Sequence, residues 1–192
     1  MFKIKFLRNI LLISLAIAII LPLYNVLFIY PSFNKLMMET VKDQAFRVTT
    51  HLGSMFVPEK SELKRESLPP NFANEVRLAA KDFGLIKLKL FSKAGEVIFS
   101  TDETEIGEMN RKRYFHEIVA RGNTYTNVVP KTQRSAEGKI VTVDVVETYV
   151  PIIREEGFVG AFEIYFDITG AKGKIGSLIS HSYAVLFVLA EP

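Results

Sequence analysis

Apolar and polar positions divide the chain into segments of different character. From Asn9 to Asn34 there is no charged residue, and 10–20 is a nearly continuous run of Ile, Leu and Ala. A bilayer core takes about 20 apolar residues in helical form, because backbone polar groups find no water there. Residues 9–32 are therefore predicted to cross a membrane. Pro22 can kink that helix, and Tyr24 and Tyr30 fall near its outer end, where aromatic rings favour the interface. The basic flank 1–8, with Lys3, Lys5 and Arg8, predicts a cytoplasmic N-terminus and a domain on the opposite side. A cleaved signal peptide would have a shorter core ending at small residues, and 23–30 offers no such site. A pilin-like subunit would carry an early Glu, whereas the first acidic residue is Glu39. A second apolar stretch, 175–190, is diluted by Ser177, Ser180, His181 and Ser182 and is short for a span. Residues 175–192 are read as the start of a second, truncated transmembrane segment.

Between these stretches the pattern is that of a globular domain, 33–174. Phe33, Leu36, Met37, Val41, Ala45, Val48, Leu52 and Met55 recur at spacings of three and four. They predict a stalk helix over 33–57 with one apolar stripe, facing either the domain's own sheet or a second copy. Residues 59–70 are polar and end in Pro-Pro, a loop. Asn71 can cap a helix that presents Phe72, Val76, Ala79 and Phe83 and stops at Gly84. The period then shortens to two over 85–91, with Lys87 and Lys89 as the polar positions. The turn 92–95 and a second run, 96–100, complete a hairpin. An acidic loop, 101–108, leads to a short helix that opens at Asn110, carries Tyr114, Phe115, Ile118 and Val119, and closes at Gly122. Strands are predicted over 124–129, 139–153 and 158–169, with a polar loop at 131–138 and a tight connection at 154–157. The economical packing is a five-stranded antiparallel sheet flanked by helices, an α+β domain.

Composition narrows the function. The 192 residues carry 24 basic and 21 acidic side chains, and Lys3, Lys5 and Arg8 account for the surplus. The domain itself is neutral, which excludes a nucleic-acid partner. With no cysteine, disulfides and cysteine-ligated metals are excluded. The three histidines, His51, His116 and His181, share no metal-ligand spacing. No nucleophile elbow, phosphate loop or dinucleotide motif occurs. Neither an enzyme nor a cofactor is expected in this chain.

Several stretches carry a resemblance: Gly95-Glu96-Val97-Ile98-Phe99-Ser100-Thr101-Asp102, Ile106-Gly107, Tyr114-Phe115, 146–152 and 160–168. With the element order, they resemble the extracytoplasmic PAS-like sensor domains called Cache or PDC domains, found in bacterial transmembrane histidine kinases and diguanylate cyclases. The resemblance implies a ligand pocket on one sheet face, under a lid formed by 102–125. It also implies a signalling output beyond a second span, of the HAMP, kinase, cyclase or chemoreceptor kind; no such region occurs within these residues.

If Ile153 pairs with Phe158, then Thr142, Asp144 and Thr148 share a face with Glu163, Tyr165 and Asp167. Val141, Val143 and Val145 then lie with Phe162, Ile164 and Phe166 on the core side. The polar face is either the floor of a pocket or a face turned to water. Arg111, Lys112, Arg113 and His116 begin the lid helix, where arginines suit a carboxylate or phosphate. The candidate ligand-binding residues are Arg111, Arg113, Tyr114, His116, Tyr125, Asp144, Thr148, Glu163 and Tyr165, facing a small anionic or zwitterionic ligand. The expected protein is the sensor region of a bacterial inner-membrane signal-transduction protein, with lipid around 9–32 and a homodimer through the stalk helix. The alternative is a membrane-tethered periplasmic interaction or assembly protein without a small-molecule ligand.

Overall fold

The computed structural model describes residues 2–56 and 63–190, and it divides into two compact units, Met1–Met38 with Gly170–Pro192 and Glu39–Thr169. Met1, the stalk position Val57, Pro58, the start of the loop at 59–62 and the last two residues lie outside the described residues.

The first unit is helical. Helix α1 (Phe2–Tyr24) runs through Pro22 into one wide π turn, Asn25–Ile29, and on into α2 (Tyr30–Phe56). The wide turn precedes Pro31, whose ring nitrogen cannot donate to the carbonyl of Leu27. Ser32 satisfies the neighbouring carbonyl, its Oγ donating to Phe28 O at 2.6 Å. Ile4–Met55 is the one helix among the described residues long and apolar enough to cross a membrane. The returning helix α5 is Thr169–Ala190.

The second unit is built on five antiparallel strands: β1 (Leu85–Ser92), β2 (Val97–Ser100), β3 (Tyr125–Val129), β4 (Val145–Arg154) and β5 (Gly157–Asp167). Their spatial order is β2-β1-β5-β4-β3. One face of the sheet is apolar. Leu88, Leu90, Phe99, Val146, Val150, Phe162, Ile164 and Phe166 are buried there beneath α2 and the helix α3 (Phe72–Asp82). The α2 stripe contributes Val41, Ala45, Val48 and Leu52, all buried, whereas Met55 is exposed. Phe72 meets Phe99 edge-on at 5.0 Å between ring centroids. Gly84, at φ 63, takes the left-handed conformation that follows α3, as its position in the sequence predicts.

Two expectations are corrected. The strand read over 139–153 begins only at Val145; 139–144 belongs to an irregular segment that folds back on 131–135, with an isolated bridge between Arg134 and Ile140 and Thr132 N donating to Val141 O at 2.8 Å. Ile153 does pair with Phe158, but Ile152 pairs with Gly160, so Val159 is an extra residue on β5. This bulge shifts every later pair by one. Tyr149 stands opposite Glu163, Glu147 opposite Tyr165, and Thr148 opposite Ile164 on the helix-covered face. Val141, Val143 and Val145 consequently pack with Val129 around Tyr165.

Candidate functional site

The second sheet face carries Lys87, Lys89 and Phe91 from β1, Tyr149 and Glu147 from β4, and Glu163 and Tyr165 from β5. It is covered by 102–125, which includes the short helix α4 (Arg113–Glu117), and by the segment 130–144. Its apolar half is filled where Phe115 and Val119 of the lid pack on Phe91, Val97, Tyr149, Phe158 and Ala161. Gly95 at φ 91 lets the chain turn close to the lid, since a Cβ there would stand 2.9 Å from Asn110 O.

Three tyrosines mark the border with the polar half. Tyr114 stacks on Tyr125 at 4.4 Å, and its hydroxyl lies 3.0 Å from that of Tyr149. Asn110 Nδ2 donates to Tyr114 Oη at 3.1 Å. Burial pushes the phenols of Tyr114 and Tyr149 above their ordinary range.

The polar half centres on Lys89, whose side chain has no exposure to solvent. Its Nζ bonds Glu137 and lies 3.1 Å from Glu105 Oε2 and 3.6 Å from Glu163 Oε2. Burial alone would lower its pKa; the carboxylates of Glu163, Glu137 and Glu105 together hold it above the ordinary value. Glu105 Oε1 accepts from Lys87 Nζ at 2.8 Å and Lys139 Nζ at 2.9 Å, and Oε2 from Ser100 Oγ at 3.2 Å. Burial works to raise the Glu105 carboxyl, and these donors overcome it, holding it down at about 2.

Glu163 is the opposite case. Burial pushes its carboxyl up to about 8, against the pull of Lys89. Among the described residues neither of its oxygens, nor Glu147 Oε1 or Tyr165 Oη, makes a well-formed hydrogen bond, although the Tyr149 and Tyr165 hydroxyls lie near enough to Glu163 to counter part of that rise. Glu147 Oε2 accepts from Ala136 N at 2.8 Å, and burial still raises its pKa. Buried polar atoms are nearly always paired in folded proteins, so this group of orphans on one sheet face is the most unusual feature of the unit.

Of the residues selected from sequence, Tyr114, Tyr125, Glu163 and Tyr165 come together on this face. Arg111, Arg113 and His116 lie on the exposed side of the lid. Arg113 pairs with Glu117 at 3.0 Å, and His116 Nε2 lies 3.2 Å from Asn110 O. Asp144 sits at the end of the irregular segment, its carboxylate accepting from Lys131 N at 3.0 Å. Thr148 is on the opposite face, 3.4 Å from the Thr126 hydroxyl. The sequence reading missed Lys89, Glu105, Glu137, Glu147 and Tyr149. A Gly within a predicted strand, here Gly160, is a bulge signal and would have brought Glu147 and Tyr149 to the right face. No local signal joins Glu105 and Glu137 to Lys89.

No known family matches the chain by sequence, and no curated protein does. Solved structures do match by fold. The sensor domain of Escherichia coli DcuS superposes with a TM-score of 0.51 at 13% identity, over 72% of this chain and 96% of that one. The ligand-binding domain of the Campylobacter jejuni chemoreceptor Tlp3, in complex with 4-methylisoleucine, gives 0.53 at 11% identity. It covers 72% of this chain but only 54% of its own length is spanned. The same sensory domain with isoleucine bound gives 0.52 at 12% identity, over 79% and 58%. A lidded five-stranded sheet backed by a long N-terminal helix and aligned with these structures has the fold of the extracytoplasmic PAS-like sensor domains of the Cache/PDC type.

Proposed function

We propose that this chain is the ligand-binding sensor region of a bacterial transmembrane signal-transduction protein of the histidine-kinase, diguanylate-cyclase or chemoreceptor type. The observation that carries the proposal is the set of buried atoms of Glu163, Glu147 and Tyr165 beneath the lid that make no well-formed hydrogen bond among the described residues. Leaving such groups unsatisfied lowers stability, and a binding site is the kind of place where that loss is retained. The chain acts by binding and not by catalysis. The helix Ile4–Met55 anchors it in the inner membrane, with the N-terminus in the cytoplasm and the domain in the periplasm.

Side chains of the chain itself fill the face, so a ligand enters by displacing the lid or the segment 130–144. The displacement would move β1 and β5 against the α2 stripe Val41, Ala45, Val48 and Leu52. In a homodimer joined through α2 that movement would reach the membrane helices. The filled face also suits a tethered interaction protein, the second reading. Thermal unfolding of the whole chain in lipid nanodiscs, against a library of small acids, amino acids and amines, separates the two. A sensor gains several degrees with at least one compound; an interaction protein gains none.

A further inference from the structure

The same buried face indicates the chemical class of its ligand, an inference that rests on the sensor reading. A ligand carboxylate would need a free cation, and the cations here are engaged. Lys89 is held by Glu105, Glu137 and Glu163, Lys87 by Glu105, and Lys139 by Glu105 and Glu108. Arg113 is turned outward and paired with Glu117. Glu137, reaching in from the segment 130–144, already stands where an incoming carboxylate would bind Lys89.

What the face has in excess is carboxylate acceptors. Among the described residues three carboxylate oxygens, Glu147 Oε1, Glu163 Oε1 and Glu163 Oε2, make no well-formed hydrogen bond, Glu163 Oε2 having the Lys89 ammonium at 3.6 Å, and neither residue has any exposure to solvent. They are close neighbours in the sheet: Glu147 is directly across from Tyr165, and Glu163 is two residues from Tyr165 along β5. The Tyr165 hydroxyl, 3% exposed as a residue, is also unpartnered. Three ammonium groups (Lys87, Lys89, Lys139) face five carboxyl groups (Glu105, Glu108, Glu137, Glu147, Glu163), leaving acid in surplus.

We infer that this face takes a small organic cation, a primary ammonium compound without a carboxylate, whose N–H groups bond Glu163 and Glu147 beside the Tyr165 hydroxyl. An ammonium group has three N–H donors and no acceptor, matching three orphaned acceptor oxygens. Its charge balances the carboxylate that Glu163 becomes on binding, beside a Tyr165 ring that already lies 4.5 Å from the Lys87 ammonium. Burial holds a proton on Glu163 near neutral pH. The bound ammonium ionises it, and that proton passes to the buffer as the ligand binds.

The test is calorimetric titration of the whole chain in nanodiscs at pH 7. The amine probes are ethanolamine and putrescine, and the comparison compounds are acetate, succinate and alanine. Sodium chloride controls for ionic strength. The expected result is saturable binding of an amine, with a heat that depends on the buffer's ionisation enthalpy. Glu163→Gln and Glu147→Gln should each weaken that binding at least about tenfold. Tyr165→Phe removes one hydroxyl, keeps the ring, and should weaken binding while the fold persists; it serves if the Gln variants do not fold. Binding of acetate, succinate or alanine in place of the amines overturns the inference and leaves the sensor reading standing. Amine binding unchanged in all three variants also overturns it, as does failure of both amines to bind. The sensor reading itself falls only if the wider library produces no stabilisation.

Discussion

Lys89 and Glu163 face each other across β1 and β5, fully buried, and differ in what surrounds them. The lysine has three carboxylates near it; among the described residues the glutamate has one ammonium group at 3.6 Å and no well-formed hydrogen bond. Lys89→Met removes the fully buried cation shared by Glu105, Glu137 and Glu163. It should lower the stability at pH 7 by about 3–5 kcal/mol, read from the urea midpoint. Glu163 gives the folded chain a distinct pH dependence. Folding raises its pKa from an ordinary 4.5 to about 8, so the native state holds the extra proton between those values. Its contribution therefore declines as pH rises through that window and levels off above about 8. Glu105, lowered from 4.5 to about 2, contributes above its ordinary range and loses that contribution only on further acidification. The melting temperature should fall between about pH 4.5 and 8, and Glu163→Gln should flatten the slope. An equal slope in the variant would assign it to other groups. At this scale the sequence was a partial guide. Alternation over 85–91 shows that Lys87 and Lys89 share a face but not that a lid covers it, so Lys89 reads only as a polar position of a strand. Its carboxylate partners come from 105, 137 and 163, which only the tertiary fold assembles.

At the scale of elements, the hairpins were the most legible features, because alternation and turn residues act locally. The β1–β2 turn at 92–95 and the β4–β5 turn at 154–157 are where the residue types put them. The error arose where one residue changes everything downstream. Val159 is the bulge, and Gly160 beside it permits close strand contact. A Cβ at Gly160 would meet the Phe91 carbonyl oxygen and stand 2.7 Å from Leu63 Cδ2. Gly160→Ala should therefore cost about 1–3 kcal/mol or more, because the obstruction is backbone that cannot rotate away. A melting temperature within a degree of wild type would show that β1 and β5 part easily there. The start of β4 was misread for a similar reason. Val141, Val143 and Val145 alternate as a strand does, yet they pack on Tyr165 and only the last lies in the strand. An irregular segment with an apolar underside has the same signature.

On the scale of the whole molecule, the apolar helix and the sensor fold together describe a domain carried on a membrane anchor. The proposed orientation rests on Lys3, Lys5 and Arg8, and the absence of cysteine makes it easy to examine. Lys93→Cys, in the exposed β1–β2 turn, should react with a membrane-impermeant maleimide on cells whose outer membrane alone is permeabilised. Labelling only after the inner membrane is broken would reverse the orientation. The anchor and the α+β class were readable because length, hydropathy and element order need no tertiary information. The proposed binding face was not, because the lid, the segment 130–144 and three strands build it jointly. The most direct test of that face is thermal unfolding of the whole chain and its Glu163→Gln variant in nanodiscs, each with and without the compound that most stabilises wild type. A binding site predicts a variant at least as stable as wild type when free, with little or no gain on adding the compound. A variant that loses several degrees when free and keeps the full gain would make Glu163 a structural residue and contradict the account.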